Sequence, residues 1–174
     1  METVNIAVGA YSFIARWEEG ASPRTCAAFR KLLPFSQRII HARWSGEACW
    51  IPLGDFDLAV GPERQTSTPA PGEILFYPAG ISETEILLCY GQCRFAGDAG
   101  ALAGNHFLTI IKGGERLAEL GKNVLWNGSR EIRFECAPER NRGANLKNAK
   151  ALPHLALELL TGPARGALAQ PCLK

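Results

Sequence analysis

The sequence predicts a mainly β domain that closes into a barrel with two short helices. Short runs rich in β-branched and aromatic residues recur along the chain, separated by Gly and Pro, and roughly eight of them read as strands. Before residue 137 only two segments have helical character, too few to cover both faces of a doubly wound sheet. A chain of 174 residues, 47% hydrophobic and 21% charged, is the size and composition of one folded domain that buries its core without disulfide or metal support.

Residues 4–8 and 11–17, joined by Gly9-Ala10, read as a hairpin. In residues 22–34 Ser22 is the expected N-cap, Pro23 occupies the first helical position and Pro34 ends the helix. Cys26, Phe29, Leu32 and Leu33 give this helix one apolar stripe, suited to plugging the end of a barrel. A central strand pair follows over residues 38–53, then a long Gly/Pro-rich loop, 54–72, of a length that is usually functional. Residues 73–77 form a strand, 80–85 an acidic link and 86–90 a nearly continuous apolar strand that Gly91 ends or bulges. A Gly-rich turn, 97–105, leads into a strand at 106–111; it lacks the Lys-Ser/Thr ending of a phosphate loop. A second helix or turn is expected at 117–126 and a closing strand at 132–136. The barrel domain is placed at residues 1–136, and 137–174 is a C-terminal extension with a brief helix at 152–160, a candidate oligomer contact.

A net charge of +2, with Lys and Arg dispersed, carries no nucleic-acid or membrane signature. With neither an export signal nor a membrane-length apolar run, the expected location is the cytoplasm. The six cysteines then read as buried thiols, with Cys49 and Cys89 inert, instead of a disulfide framework. Cys89 and Cys93 have no matching second pair and His41 and His106 no ligand spacing, so neither a metal nor another cofactor is expected.

The candidate chemistry is concentrated in residues 38–53, where a histidine, arginines, a carboxylate and two indoles lie close together. In extended geometry Ile39, His41, Arg43 and Ser45 would share one face and Ile40, Ala42 and Trp44 the other, setting polar groups against apolar walls as a ligand groove does. His41 is the expected proton-transfer group, since an imidazole ordinarily titrates near neutrality, with Glu47 or Glu83 to orient it. Arg43 and Arg94 are candidate carboxylate forks. Trp44, Trp50, Tyr77 and Tyr90 are candidate walls, and Ser45, Glu63 and Asn105 candidate polar contacts at the rim.

Three segments carry a family likeness. Ser22-Pro-Arg-Thr-Cys-Ala-Ala-Phe-Arg30 resembles the first-helix motif of cyclophilins, Gly104-Asn-His-Phe-Leu-Thr-Ile110 resembles their Phe-Phe-Ile-Thr strand, and His41-Ala-Arg43 lies where cyclophilins carry a His-Arg pair with a catalytic arginine. A more specific likeness, over about residues 4–135, is to the bacterial and archaeal cyclophilin-like proteins of the DUF3830 family. Its carriers are His-Ala-Arg-Trp-Ser-Gly-Glu, Pro-Ala-Pro-Gly-Glu-Ile-Leu, Tyr-Pro-Ala-Gly-Ile-Ser-Glu-Thr-Glu-Ile-Leu and Leu-Ala-Gly-Asn-His-Phe. The resemblance implies a closed, cyclophilin-like eight-stranded barrel with two helices at its ends. It does not imply prolyl isomerisation: Arg43 is displaced by one residue relative to the histidine, and Trp-Ser-Gly-Glu-Ala-Cys-Trp replaces the Phe-Met-x-Gln pattern of the proline pocket. More distant likeness to oxoprolinase-like and allophanate-hydrolase-like domains, and to the N-terminal part of cucumopine synthase, implies amino-acid-derived substrates.

The expected function is therefore a metal-independent acid/base enzyme acting on an amino-acid-derived carboxylate, of the kind that condenses or cyclises an amino acid with a 2-oxo acid. The alternative is a non-catalytic ligand-binding or oligomeric module, and a peptidyl-prolyl isomerase ranks below both.

Overall fold

The computed structural model describes residues 2–137; most of the expected C-terminal extension, including its helix, lies outside the described residues. Among the described residues, no helix is long and apolar enough to cross a membrane. The chain runs β1 (Thr3–Val8), β2 (Tyr11–Trp17), α1 (Pro23–Arg30), β3 (Phe35–His41), β4 (Gly46–Gly54), β5 (Gln65–Thr66) and β6 (Glu73–Tyr77). It continues with β7 (Thr84–Cys93), β8 (Ala96–Gly97), β9 (Gly100–Ala101), β10 (Gly104–Lys112), a 3-10 turn (Gly114–Arg116), α2 (Leu117–Asn127) and β11 (Arg130–Cys136).

The strands lie in the order β2-β1-β11-β3-β4-β7-β6-β10, and β10 pairs back onto β2 to close an eight-stranded antiparallel barrel. Two-residue β5 adds to β10 beyond its pairing with β2, and β8 and β9 form a separate small hairpin. Closure leaves the barrel without a free sheet edge. The interior is filled by alternate residues of the strands, among them Ile6, Phe13, Phe76, Phe107 and Phe134, all buried. Phe29 of α1 enters at the Phe35 end of β3, with its ring edge-to-face against Phe35, Phe107 and Phe134 at centroid separations of 5.2, 5.0 and 5.4 Å. Near the His41 end of β3, α2 buries Leu117, Leu120 and Val124. Gly121 lies so close to the Tyr90 ring that a Cβ there would overlap it.

The expected cap of α1 is replaced by a residue from the long loop. Ser22 makes no capping hydrogen bond, and its hydroxyl is buried without a partner. Glu63 instead accepts from the backbone N–H groups of Arg24 and Thr25, both at 2.9 Å, and from the Thr25 hydroxyl at 2.6 Å. A carboxylate is the better acceptor for the unpaired N–H groups of a helix start, and its charge suits that end of the helix dipole. Asn105 holds the loop in place: its Oδ1 accepts from the Glu63 N–H at 2.9 Å, while Nδ2 donates to Thr25 Oγ1 at 2.9 Å and to the Gly61 carbonyl at 3.0 Å. Glu63 and Asn105 thus anchor α1 to the loop and to β10.

Burial by itself would raise the Glu63 carboxyl, but the hydrogen bonds from Thr25 and Arg24 hold it below its ordinary value. Glu63 therefore stabilises the fold above the carboxylate range, and that contribution disappears as pH falls through it. Glu63→Ala is expected to lose about 1–2 kcal/mol at neutral pH, with the gap to wild type narrowing in acid. Urea unfolding at two pH values measures it, and an unchanged midpoint at neutral pH would remove Glu63 from the cap.

Candidate active site

Strand β7 is buried on both faces, and this sets up the site. Ile86 and Leu88 belong to the barrel interior, whereas Leu87 belongs to a second apolar cluster with Ala48, Leu75, Tyr77, Phe95 and Leu102 on the outer face. Strand alternation places Glu85 on that outer face too. Across the ladders Trp50 and Leu75 flank Leu87, and Pro52 and Tyr77 flank Glu85.

Residues 94–103 cover this outer face and are pinned at several points. Ser45 Oγ donates to the Ala96 carbonyl at 3.0 Å, and the Ser45 carbonyl accepts from the Arg94 N–H at 3.0 Å. The Phe95 N–H donates to the Ser67 carbonyl at 2.7 Å, and its ring meets Tyr77 edge-on at 5.9 Å. The Tyr77 hydroxyl accepts from the Ile81 N–H at 3.1 Å. It also approaches Gly80 so closely that a Cβ there would lie 2.6 Å from it, at a backbone φ of +152° that only glycine tolerates.

Between cover and sheet is a cavity of about 320 Å³. Trp50, Glu85 and Leu87 line it from the sheet, Arg43 and Trp44 from the β3–β4 turn, Ser82 and Glu83 from the segment before β7, and Gly97 and Asp98 from the cover. Three carboxylates and one guanidinium therefore face the same space. Glu85 is distinctive among them, being only 5% exposed. Burial pushes its carboxyl up to about 7 and the neighbouring Glu83 carboxylate adds to the rise, with no hydrogen bond to offset either. The indole Nε1 of Trp50 is buried without an acceptor. Glu83, by contrast, is exposed and accepts from the Gly54 N–H at 2.9 Å.

The sequence-predicted residues are only partly brought together. Arg43, Trp44, Ser45, Trp50 and Glu83 meet at this cavity, and Arg94 lines an adjoining open recess of about 400 Å³ that shares Trp44 and Ser45. Tyr77 packs beneath the cover. The expected shared face of Ile39, His41, Arg43 and Ser45 does not form: β3 ends at His41, and residues 42–45 leave the strand on their way to β4. Ile39 lies in the barrel core, and His41 Nε2 is 2.7 Å from the hydroxyl of Tyr90, which packs on that core. His41 and Tyr90 are absent from the cavity lining. Glu47 accepts from the Gln92 N–H at 2.7 Å across the β4–β7 pair, while Glu63 and Asn105 are occupied at α1. Glu85 was not among the expected site residues, since the acidic link was expected to continue to residue 85, whereas β7 begins at Thr84. Among the described residues, no group of three or more His, Cys, Asp or Glu side chains is placed to hold a metal ion.

Residues 4–136 match DUF3830, described as a protein of unknown function. The chain belongs to this family. No curated protein matches it in sequence. Among solved structures, McbB in complex with tryptophan superposes with a TM-score of 0.62 at 16% identity, covering 87% of this chain and 50% of McbB. The chain thus corresponds to half of that protein's length. The solution structure of the hypothetical protein AF2241 from Archaeoglobus fulgidus gives a TM-score of 0.54 at 14% identity, covering 78% of this chain and 95% of that one. At these identities the likeness is one of fold.

The raised Glu85 carboxyl has a definite effect on stability. The folded protein holds a proton that the unfolded chain releases, so stability falls as pH rises from about 4.5 to about 7 and stays reduced above that. Glu85→Gln removes this loss. The variant is expected to be more stable than wild type near pH 8, by at most about 3 kcal/mol, and to converge with it in acid. Thermal unfolding across that range measures the difference, and parallel curves for the two proteins would show that Glu85 is not held desolvated.

Proposed function

We propose that the outer-face cavity is the active site of an acid/base enzyme acting on an amino-acid-derived carboxylate, with Glu85 as the proton-transfer group. The observation that carries this reading is the buried, unpaired Glu85 carboxyl, held near neutrality and open to a cavity of substrate size. A general base works best when its pKa lies near the operating pH, and strongly perturbed groups concentrate at functional sites. A structural carboxylate would have been given a partner, as Glu63 has been.

The other groups suit a zwitterion. Arg43 presents a guanidinium to the substrate carboxylate, Glu83 and Asp98 attract its ammonium, and Trp44 and Trp50 provide flat apolar walls. Ionised Glu85 takes a proton from the ammonium, freeing an amine to attack the carbonyl carbon of a 2-oxo acid. Protonated Glu85 then returns that proton to the carbinolamine hydroxyl, which leaves as water and gives an iminium for cyclisation. The fold likeness to McbB, solved with tryptophan, supports an amino acid as the ligand, and the cyclophilin-like motifs around residues 22–30 and 104–110 support the same barrel type. The proton-transfer role passes from His41 to Glu85 in this reading because His41 is bonded to Tyr90 away from the cavity.

Calorimetric titration with tryptophan, histidine and other amino acids is expected to reveal binding that Arg43→Ala weakens about tenfold, the loss of one charge-assisted contact. Mass spectrometry of incubations with paired amino acids and 2-oxo acids is expected to reveal a condensation product. Glu85→Gln should lower its formation by about a hundredfold or more while the substrate still binds. Binding with no chemical change would leave a ligand-binding module in place of the enzyme. Turnover that survives Glu85→Gln but not His41→Ala would return the role to His41.

A further inference from the structure

Cys89 and Cys93 stand four residues apart on β7, a spacing that in a regular strand keeps side chains far apart. The β4–β7 register closes that gap. Cys89 lies opposite Ala48 and Cys93 opposite Gly46, so a span of four residues on β7 faces a span of two on β4. The surplus is taken up by a bulge through Gly91, where Glu47 lies so close that any Cβ would collide with it. Two residues of strand correspond to about 7 Å, at the upper edge of the Cα separation that a disulfide bridges. The Cys89 thiol donates to the Gly91 carbonyl inside the bulge at 3.2 Å and to the Pro69 carbonyl at 3.4 Å, and Cys93 packs against the outer-face cluster. Cys89 is buried and Cys93 is half-buried, lining the open recess beside Arg94.

We propose that Cys89 and Cys93 form a reversible dithiol–disulfide couple built into the β4–β7 bulge, oxidised by a small-molecule disulfide such as oxidised glutathione. Cys93, the sulfur within reach of the solvent, passes its proton to the Cys89 thiolate and attacks, forming a mixed disulfide and expelling one glutathione thiolate. Cys89, deprotonated in turn, attacks the Cys93 sulfur, closing the intrachain disulfide and expelling the second. The two protein thiols are oxidised, one glutathione disulfide is reduced to two thiols, and the two protons released by the cysteines pass to them. Interaction between the two sulfurs lowers the Cys89 thiol and raises the Cys93 thiol, so the proton of the pair rests on Cys93 until the disulfide arrives. Cys26 and Cys49 have no such arrangement, and burial pushes their thiols up to about 11 and about 12.

The full chain is incubated with oxidised glutathione, alkylated after unfolding, and mapped by peptide mass spectrometry. Cys89 and Cys93 are expected to lose alkylation together, to appear on one peptide lighter by two hydrogens, and to recover with dithiothreitol, while Cys26 and Cys49 stay alkylated. Cys93→Ser should leave Cys89 fully alkylated under the same treatment. A mixed glutathione disulfide that persists on Cys93 beside a free Cys89 would overturn the couple, and so would full alkylation of both cysteines after oxidation. Both readings come from the unmutated chain and hold even if the serine variant does not fold.

Discussion

Everything distinctive about this barrel depends on the burial of β7 on both faces. A barrel strand normally has one face in the core and one in water. Here the covering segment, residues 94–103, supplies a second apolar layer through Phe95 and Leu102, so Leu87 is as buried outside the barrel as Ile86 and Leu88 are within it. Glu85 shares that outer face and is desolvated along with it. Its raised carboxyl is therefore a product of the same packing that fastens the cover, and an exposed outer face would leave it an ordinary surface glutamate.

The two buried glutamates make the contrast sharper. Glu63 is surrounded by donors from α1, which hold its carboxyl down and make it a structural anion. Glu85 has no donor and sits near a second carboxylate, so its charged form is disfavoured. A protein that keeps such a group accepts a loss of stability at neutral pH that a glutamine would avoid, a local conflict of the kind expected at functional sites.

Much of the barrel was legible in sequence because it rests on local signals. Gly9-Ala10 between two β-rich runs gave the first hairpin, Pro23 marked the start of α1, and the scarcity of helical segments pointed to a closed sheet. The candidate site was legible in two short stretches: Arg43, Trp44, Ser45 and Trp50 come from one and Glu83 from the acidic link before β7, and all five line the cavity. What failed were inferences about direction and distance. Alternation was carried through residues 42–45 although β3 ends at His41, which put His41 and Arg43 on a face they do not share. Ser22 had the right chemistry and position for a cap, and nothing local marked Glu63, from the far side of the loop, as its replacement. Glu85 was obscured because a strand buried on both faces has no two-residue polarity pattern; a single acid followed at once by Ile86-Leu-Leu was the one trace available.

The bulge at Gly91 connects these features. Without the surplus residues in β7, Cys93 would lie two positions further along the ladder, and the chain would reach Arg94 too far along to bond Ser45 in the present register. Glu47 bonds the Gln92 N–H within the bulge, and one residue after Cys93 the chain bonds Ser45 and turns over the outer face. The irregularity that brings two thiols together therefore also sets where the cover begins, and hence the roof over Glu85. A bulge re-aims the chain that follows it; in this barrel the chain that follows is the one that covers the outer face around Glu85.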